Sequence, residues 1–296
     1  MVGACGNASS APDARYPDTG LALLGLDGGE LHSAAAIGSD PVAVTVSTDG
    51  RMAYVADSSP GDVYAVRLPE LTVAWKQHVG GAPFGLLVAA GRLYVSLFDA
   101  AAVVELDLAG GAELASHVVS QSPAVMTLDP AGRVVVASHD GHVERLDGTS
   151  IAAGDGYGIA LSGGTLWTAD YARSQLVPLD DGGPVGLPLP VHPFWVAPGA
   201  RDTLLVAAEG TAEDSDPGAV FSYDPMSAAF QVLARPRDPD EVLQSGPTVL
   251  VAAHGDRAVL AIRGNASSRW AQGASAVALA VDAPLGLLVV ALNTHE

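Results

Sequence analysis

DPVAVTVSTDGRMAYVADSSPGDVYAVRL, residues 40–68, is the stretch whose reading decides the fold. It opens on an alternating apolar segment, PVAVTV, and turns at Asp49-Gly50, a pair suited to a tight hairpin. A short buried run follows, AYVAD, then a polar loop, SSPGD, and a third alternating segment, VYAVRL. A weaker fourth strand can be read in LTVAWKQHVGG (71–81). Short segments rich in Val, Tyr and Thr, bounded by Gly, Pro, Asp and Ser, are the pattern of antiparallel β-structure. Apolar spacing of the helical kind is missing along the whole chain, so the reading is all-β with essentially no helix.

The same grammar returns in APFGLLVAAGRLYVSLFDAAAVVELDL (82–108) and SPAVMTLDPAGRVVVASHDGHVERLDG (122–148). It is looser in 156–180 and 193–224, and further copies lie at 240–262 and 275–293. First strands are expected to begin near residues 41, 83, 123, 156, 193, 239 and 275. A spacing close to forty residues is the four-strand period of a propeller blade. The last copy supplies only two strands, whereas 19–40 supplies only the third and fourth strands of a unit. Together they make one period. The two ends are therefore expected to share a blade, giving seven blades and no open strand edge. The domain reading is a tether over 1–20 followed by a single propeller over 21–296.

The motif PVAVTVSTDGRMAYVAD resembles the YVTN/NHL-type seven-bladed propellers, whose repeats pair an alternating strand with a glycine turn and a YVAD-like run. The resemblance implies a scaffold, and a propeller scaffold hosts many unrelated activities. GTLWTADYARSQLVPL (164–179) is similar to the repeat of the streptogramin lyases, which implies an enzymatic alternative.

Composition narrows the function. Thirty-three acidic residues against fourteen basic ones give a net charge of −19, and Lys76 is the single lysine. Nucleic acid and anionic membrane surfaces are recognised through clustered Lys and Arg, so both are excluded as direct partners. The acidic surface favours a monomer. One cysteine rules out an internal disulfide and cysteine-based zinc sites. No G-x-S-x-G elbow or dinucleotide-binding glycine motif occurs in a fitting context.

In a propeller the loops joining strands two and three, and those joining one blade to the next, open on one common face. Mapping the repeat places Asp57, Phe98, Asp99, His139, Asp140, His142, Asp170, Tyr171, Glu209, His254, Asn293 and His295 on the first set of loops. Phe84, Tyr157, His192, Phe194, Trp195, Asp240 and Glu241 fall on the second. Aromatic area with a few polar groups is what a small-ligand site needs. The candidate binding residues are Asp57, Phe84, Phe98, Asp99, Asp140, Tyr157, Asp170, Tyr171, His192, Trp195, Glu209 and Glu241. Asp57 and Asp170 are also well placed simply to cap loop amides. No organic cofactor is expected. A divalent metal is open to His139, His142 and His254. His139 or His254 would be the base of a lactonase or lyase, with Glu209 or Asp140 orienting it. The principal reading is a propeller that binds a small molecule or protein on its rim.

The chain begins MVGACGNASS, and Cys5 has no role within the repeats. Val2-Gly3-Ala4-Cys5 resembles the end of a bacterial lipoprotein signal. That resemblance implies lipidation at Cys5 and an envelope location, outside the cytoplasm. The polar stretch that follows has the composition of a flexible tether. Neither a basic nor an apolar segment precedes Val2, so the expectation is that the signal is truncated here. A cytoplasmic protein is the alternative.

Overall fold

The computed structural model describes residues 15–152, 157–180, 182–211 and 216–294. Cys5 and His295 lie outside the described residues. Among the described residues there are seven four-stranded antiparallel sheets and a single 3-10 turn, Ala200–Asp202. Blade 1 runs through Pro41–Val46, Met52–Asp57, Asp62–Arg67 and Thr72–His78. The first strands of blades 2 to 6 are Pro83–Ala89, Pro123–Leu128, Ile159–Ser162, His192–Pro198 and Pro239–Ser245.

Blade 7 is composite, as the repeat requires. Its strand order is Ala276–Asp282, Leu287–Asn293, Thr19–Gly25 and Leu31–Ala35. Thr19 pairs with Asn293 and the register continues without a break to Gly25 opposite Leu287. Leu21, Ala22, Leu23 and Leu24 are all fully buried there. The Asn293 side-chain amide adds a hydrogen bond of 2.8 Å to Asp40 Oδ1 on blade 1.

Second strands are buried on both faces because each blade is sandwiched between neighbours. This explains their unbroken apolar runs, such as VVVAS in Val134–Ser138, every residue of which is buried. Fourth strands face water and alternate: Thr72–His78 is largely exposed. The core is built from Ala, Val and Leu, with aromatic residues confined to a few seams. At one seam Trp75 donates from Nε1 to the Leu108 carbonyl at 3.1 Å. Gly111, in a left-handed conformation (φ 72°), packs against that indole, and a Cβ there would stand 2.7 Å from it.

Two devices recur at the top of the inner strands. The first is a β-bulge just after the blade's opening residue, between Pro41 and Ala43, Pro83 and Leu86, Pro123 and Met126, Pro193 and Trp195, Pro239 and Glu241, and Ala276 and Ala278. A bulge re-aims side chains locally. The second is a backbone stitch. The N–H of the residue that ends or directly follows a second strand donates to the carbonyl of the residue before a first strand: Ser58 to Asp40, Phe98 to Ala82, His139 to Ser122, His254 to Asp238 and Asn293 to Ser275, at 2.8–2.9 Å. Ala82, Ser122 and Asp238 hold these carbonyls in a left-handed conformation immediately before a proline.

Candidate functional site

Bulges and stitches together build a cavity of about 450 Å³ at one mouth of the central channel. The bulged residues Val42, Phe84, Phe194, Asp240 and Val277 line it, along with Ala43, Trp195 and Glu241 beside them. The stitched positions add Asp40, Asp238, His254 and Asn293, and Glu209 completes the lining. Five carboxyl groups converge there, and among the described residues the lining contains no lysine or arginine.

Each carboxyl is held in place. Asp40 Oδ2 accepts from the Ser59 N–H at 3.0 Å, while its Oδ1 accepts from Asn293. The Tyr171 hydroxyl donates to Glu209 Oε2 at 2.7 Å. His254, with 11 % of its side chain accessible, sets Nδ1 3.2 Å from Asp238 Oδ2 and 3.9 Å from Asp240 Oδ2. The stitch between the two backbones is what brings this histidine and aspartate together. Glu241 Oε2 accepts from the Leu279 N–H at 2.9 Å. Burial pushes its carboxyl up to about 8, against the opposing pull of that amide.

The other side of the mouth is aromatic. Phe84 packs on Phe98 and Tyr157 at centroid distances of 5.6 and 5.9 Å. Tyr157 stacks on His139 at 4.4 Å and meets Phe194 at 4.8 Å. Tyr171 stacks on His192 at 4.8 Å, and His192 Nδ1 lies 2.9 Å from the Tyr171 carbonyl. The belt spans blades 2 to 5 and delivers Phe84 and Phe194 to the cavity.

Phe84, Trp195, Glu209, Glu241 and His254 are thus the sequence-derived site residues that line one cavity. Phe98, His139, Tyr157, Tyr171 and His192 stand in the adjoining belt. The remaining aspartates do other work. Asp57 is buried and accepts from the Ser39 N–H at 2.9 Å and from the Asp40 N–H, fixing the inter-blade loop. Asp170 binds Arg173 and Gln175 within its own turn. Asp140 accepts from the Gln121 N–H and pairs with His142. Asp99 is exposed.

The expected histidine triad does not assemble. Among the described residues one three-ligand group exists, Asp238, Asp240 and His254, whose donor atoms lie within 4.8 Å of one another. His139 is occupied in the aromatic stack and His142 in its pair with Asp140. The group that does form offers the mixed N/O donors that divalent transition metals accept. Asp40 and Asp238 escaped the sequence reading because an Asp before a proline reads as a turn. The signal was that both occupy the position just before a blade's first strand.

No family model and no curated protein matches the chain. Solved structures do. Hydrazine synthase of Kuenenia stuttgartiensis aligns at 14 % identity with a TM-score of 0.71, covering 88 % of this chain and 95 % of that one. A streptogramin B lyase aligns at 14 % identity and a TM-score of 0.68, over 92 % and 97 %. The periplasmic gluconolactonase of Pseudomonas aeruginosa aligns at 14 % and 0.64, over 86 % and 97 %. These likenesses establish the fold. At such identity activity has to be argued from the mouth itself.

Proposed function

We propose that the chain is a binding propeller whose channel mouth takes a small organic cation. One observation carries this reading: a single cavity is lined by five carboxyl groups, by no lysine or arginine among the described residues, and by the aromatic side chains of Phe84, Phe194 and Trp195. A cation over an aromatic face is attracted to the ring, and more strongly when water is excluded. Carboxylates on the opposite wall supply charge-assisted hydrogen bonds. The net charge of −19 draws cations toward the molecule. Isothermal titration of the protein with benzylammonium and with benzoate tests the reading. Binding of the cation alone, weakened by added salt and by Trp195→Ala, is the expected result. Equal binding of benzoate, or no binding of either, overturns it.

A second reading is supported by the His254–Asp238 pair, in which a carboxylate orients an imidazole inside the same cavity. That arrangement suits a general base, and Asp240 beside it completes a set able to hold a divalent cation. A lactonase or lyase is the enzyme class, in keeping with folds of this shape. Turnover of a lactone panel, with and without added divalent metal and abolished in His254→Gln, would establish it. No turnover under any of these conditions would remove it.

An envelope location with lipidation at Cys5 is part of the proposal, supported by the Val2-Gly3-Ala4-Cys5 run and the tether composition. The periplasmic location of the gluconolactonase with the same fold agrees with it. Fatty-acid labelling of the protein expressed from its full coding sequence decides it, since an unlabelled product would refute the anchor.

A further inference from the structure

The carboxyl groups of the mouth stand at separate stations around the rim. Glu209 ends the second strand of blade 5. Asp238 and Asp240 flank Pro239, where blade 6 begins. Asp40 directly precedes the first strand of blade 1 and accepts from Asn293, the last residue of a blade 7 strand. Different neighbours pin them. The Tyr171 hydroxyl holds Glu209, His254 pairs with Asp238, and the Ser59 N–H and the Asn293 amide hold Asp40. Asp238, Asp240 and His254 bring their donor atoms within 4.8 Å of one another. Asp40 and Glu209 line the same cavity but join no such three-ligand group among the described residues.

This spacing bears on how many charges the guest carries. An ammonium group has its three donors on one nitrogen, a compact point charge. A guest with a single ammonium therefore satisfies one station and leaves negative charge at the others. A metal ion held by Asp238, Asp240 and His254 would also leave Asp40 and Glu209 unmet. We propose that the guest of the mouth is a linear oligoamine, a di- or triamine whose ammonium groups occupy separate carboxylate stations. The proposal rests on the cation-binding reading and deepens it, from one charge to several. The protein has already ordered the carboxylates, so the cost of ordering falls on the amine chain. Phe84, Phe194 and Trp195 line the same cavity and offer ring faces to an ammonium group passing between stations.

The experiment is isothermal titration of the full chain with butylammonium, putrescine, N-acetylputrescine and spermidine, beside benzylammonium. At about pH 7.5 these amines are charged, as a lysine side chain is. Each further ammonium group is expected to raise affinity about tenfold or more, the worth of a hydrogen bond to a charged group. N-acetylputrescine keeps the chain of putrescine and loses one charge, so it should fall back to the level of butylammonium. Asp40→Asn and Glu209→Gln each remove the charge of one station, and at least one of them should bring the affinities of putrescine and butylammonium together. If putrescine and N-acetylputrescine bind alike, or if neither variant narrows that difference, the separate stations are wrong and the cation reading stands on benzylammonium. If no amine binds, benzylammonium included, both readings fall. Should a variant not fold, the acetylated and unacetylated pair still decides the matter on the unaltered protein.

Discussion

Asp282 ends the first strand of blade 7 and is fully buried against blade 1. Its Oδ1 accepts from the Leu285 N–H at 3.1 Å, and its Oδ2 is buried without a hydrogen-bond partner. A Cβ on Gly50, across the blade interface, would lie 2.4 Å from Oδ1, so the seam has no slack there. Burial raises its carboxyl above the ordinary aspartate value, and the nearby Asp49 charge adds to the shift. The folded protein therefore holds a proton at Asp282 that the unfolded chain releases near pH 4. Folded stability must fall as pH rises past that value, because deprotonation in the fold leaves an unpaired buried charge. Asp282→Asn keeps an acceptor for Leu285 and abolishes the titration. An unpaired buried acceptor costs about 1–3 kcal/mol. The gap between variant and parent should grow by that amount, in the variant's favour, from about pH 4 to about pH 8. Urea unfolding across that range measures it. An offset already present at about pH 4 reflects the amide's own fit, and only the growth of the gap with pH bears on the titration. Parallel curves with no pH-dependent gap would refute it.

Three further outcomes follow from the same geometry. Gly85→Ala should destabilise by about 2–4 kcal/mol, since its Cβ would stand 2.2 Å from the Ala124 carbonyl across the blade 2–3 seam; denaturant melts check this. Ser122→Gly should stabilise by up to about 1 kcal/mol by relieving a left-handed non-glycine residue, measurable as a raised Tm. Burial opposes ionisation of Asp129, yet the Arg133 N–H and the Arg145 and Arg133 guanidinium groups hold it well below the usual range. Asp129→Asn should therefore cost stability at neutral pH and progressively less as pH falls below about 4, because that contribution exists only while the carboxylate is charged.

The ring and its closure were legible because they are written in short-range terms. A strand period, a glycine turn and a YVAD-like run each depend on neighbours in sequence, and blades repeat them. The sharing of blade 7 followed from two incomplete units. The looser fourth blade shifted its expected start, near 156, to Ile159, where the Pro-led pattern is absent. The mouth was legible only in part. Which loop residues face the opening followed from the repeat, but which of them meet depends on distances across the ring. His139 and His254 occupy equivalent positions on different blades. One is drawn into an aromatic stack with Tyr157, the other into a cluster with Asp238 and Asp240. The stitch to the pre-proline residue decides this: His139 is tied to Ser122, which offers no carboxyl, and His254 to Asp238, which does.

The bulge near the top of the inner strands separates what the ring needs from what the mouth displays. Below it, side chains answer to neighbouring blades, and a change of size is felt by the whole ring. At the bulge itself the residue is unpaired and turned to the opening, so Val42, Phe84, Phe194, Asp240 and Val277 occupy equivalent places with unrelated chemistry. Each is a socket that evolution or an experimenter can refit one at a time. A mouth for a different guest could be reached from this one by exchanging residues at these sockets, with the scaffold carried through unchanged.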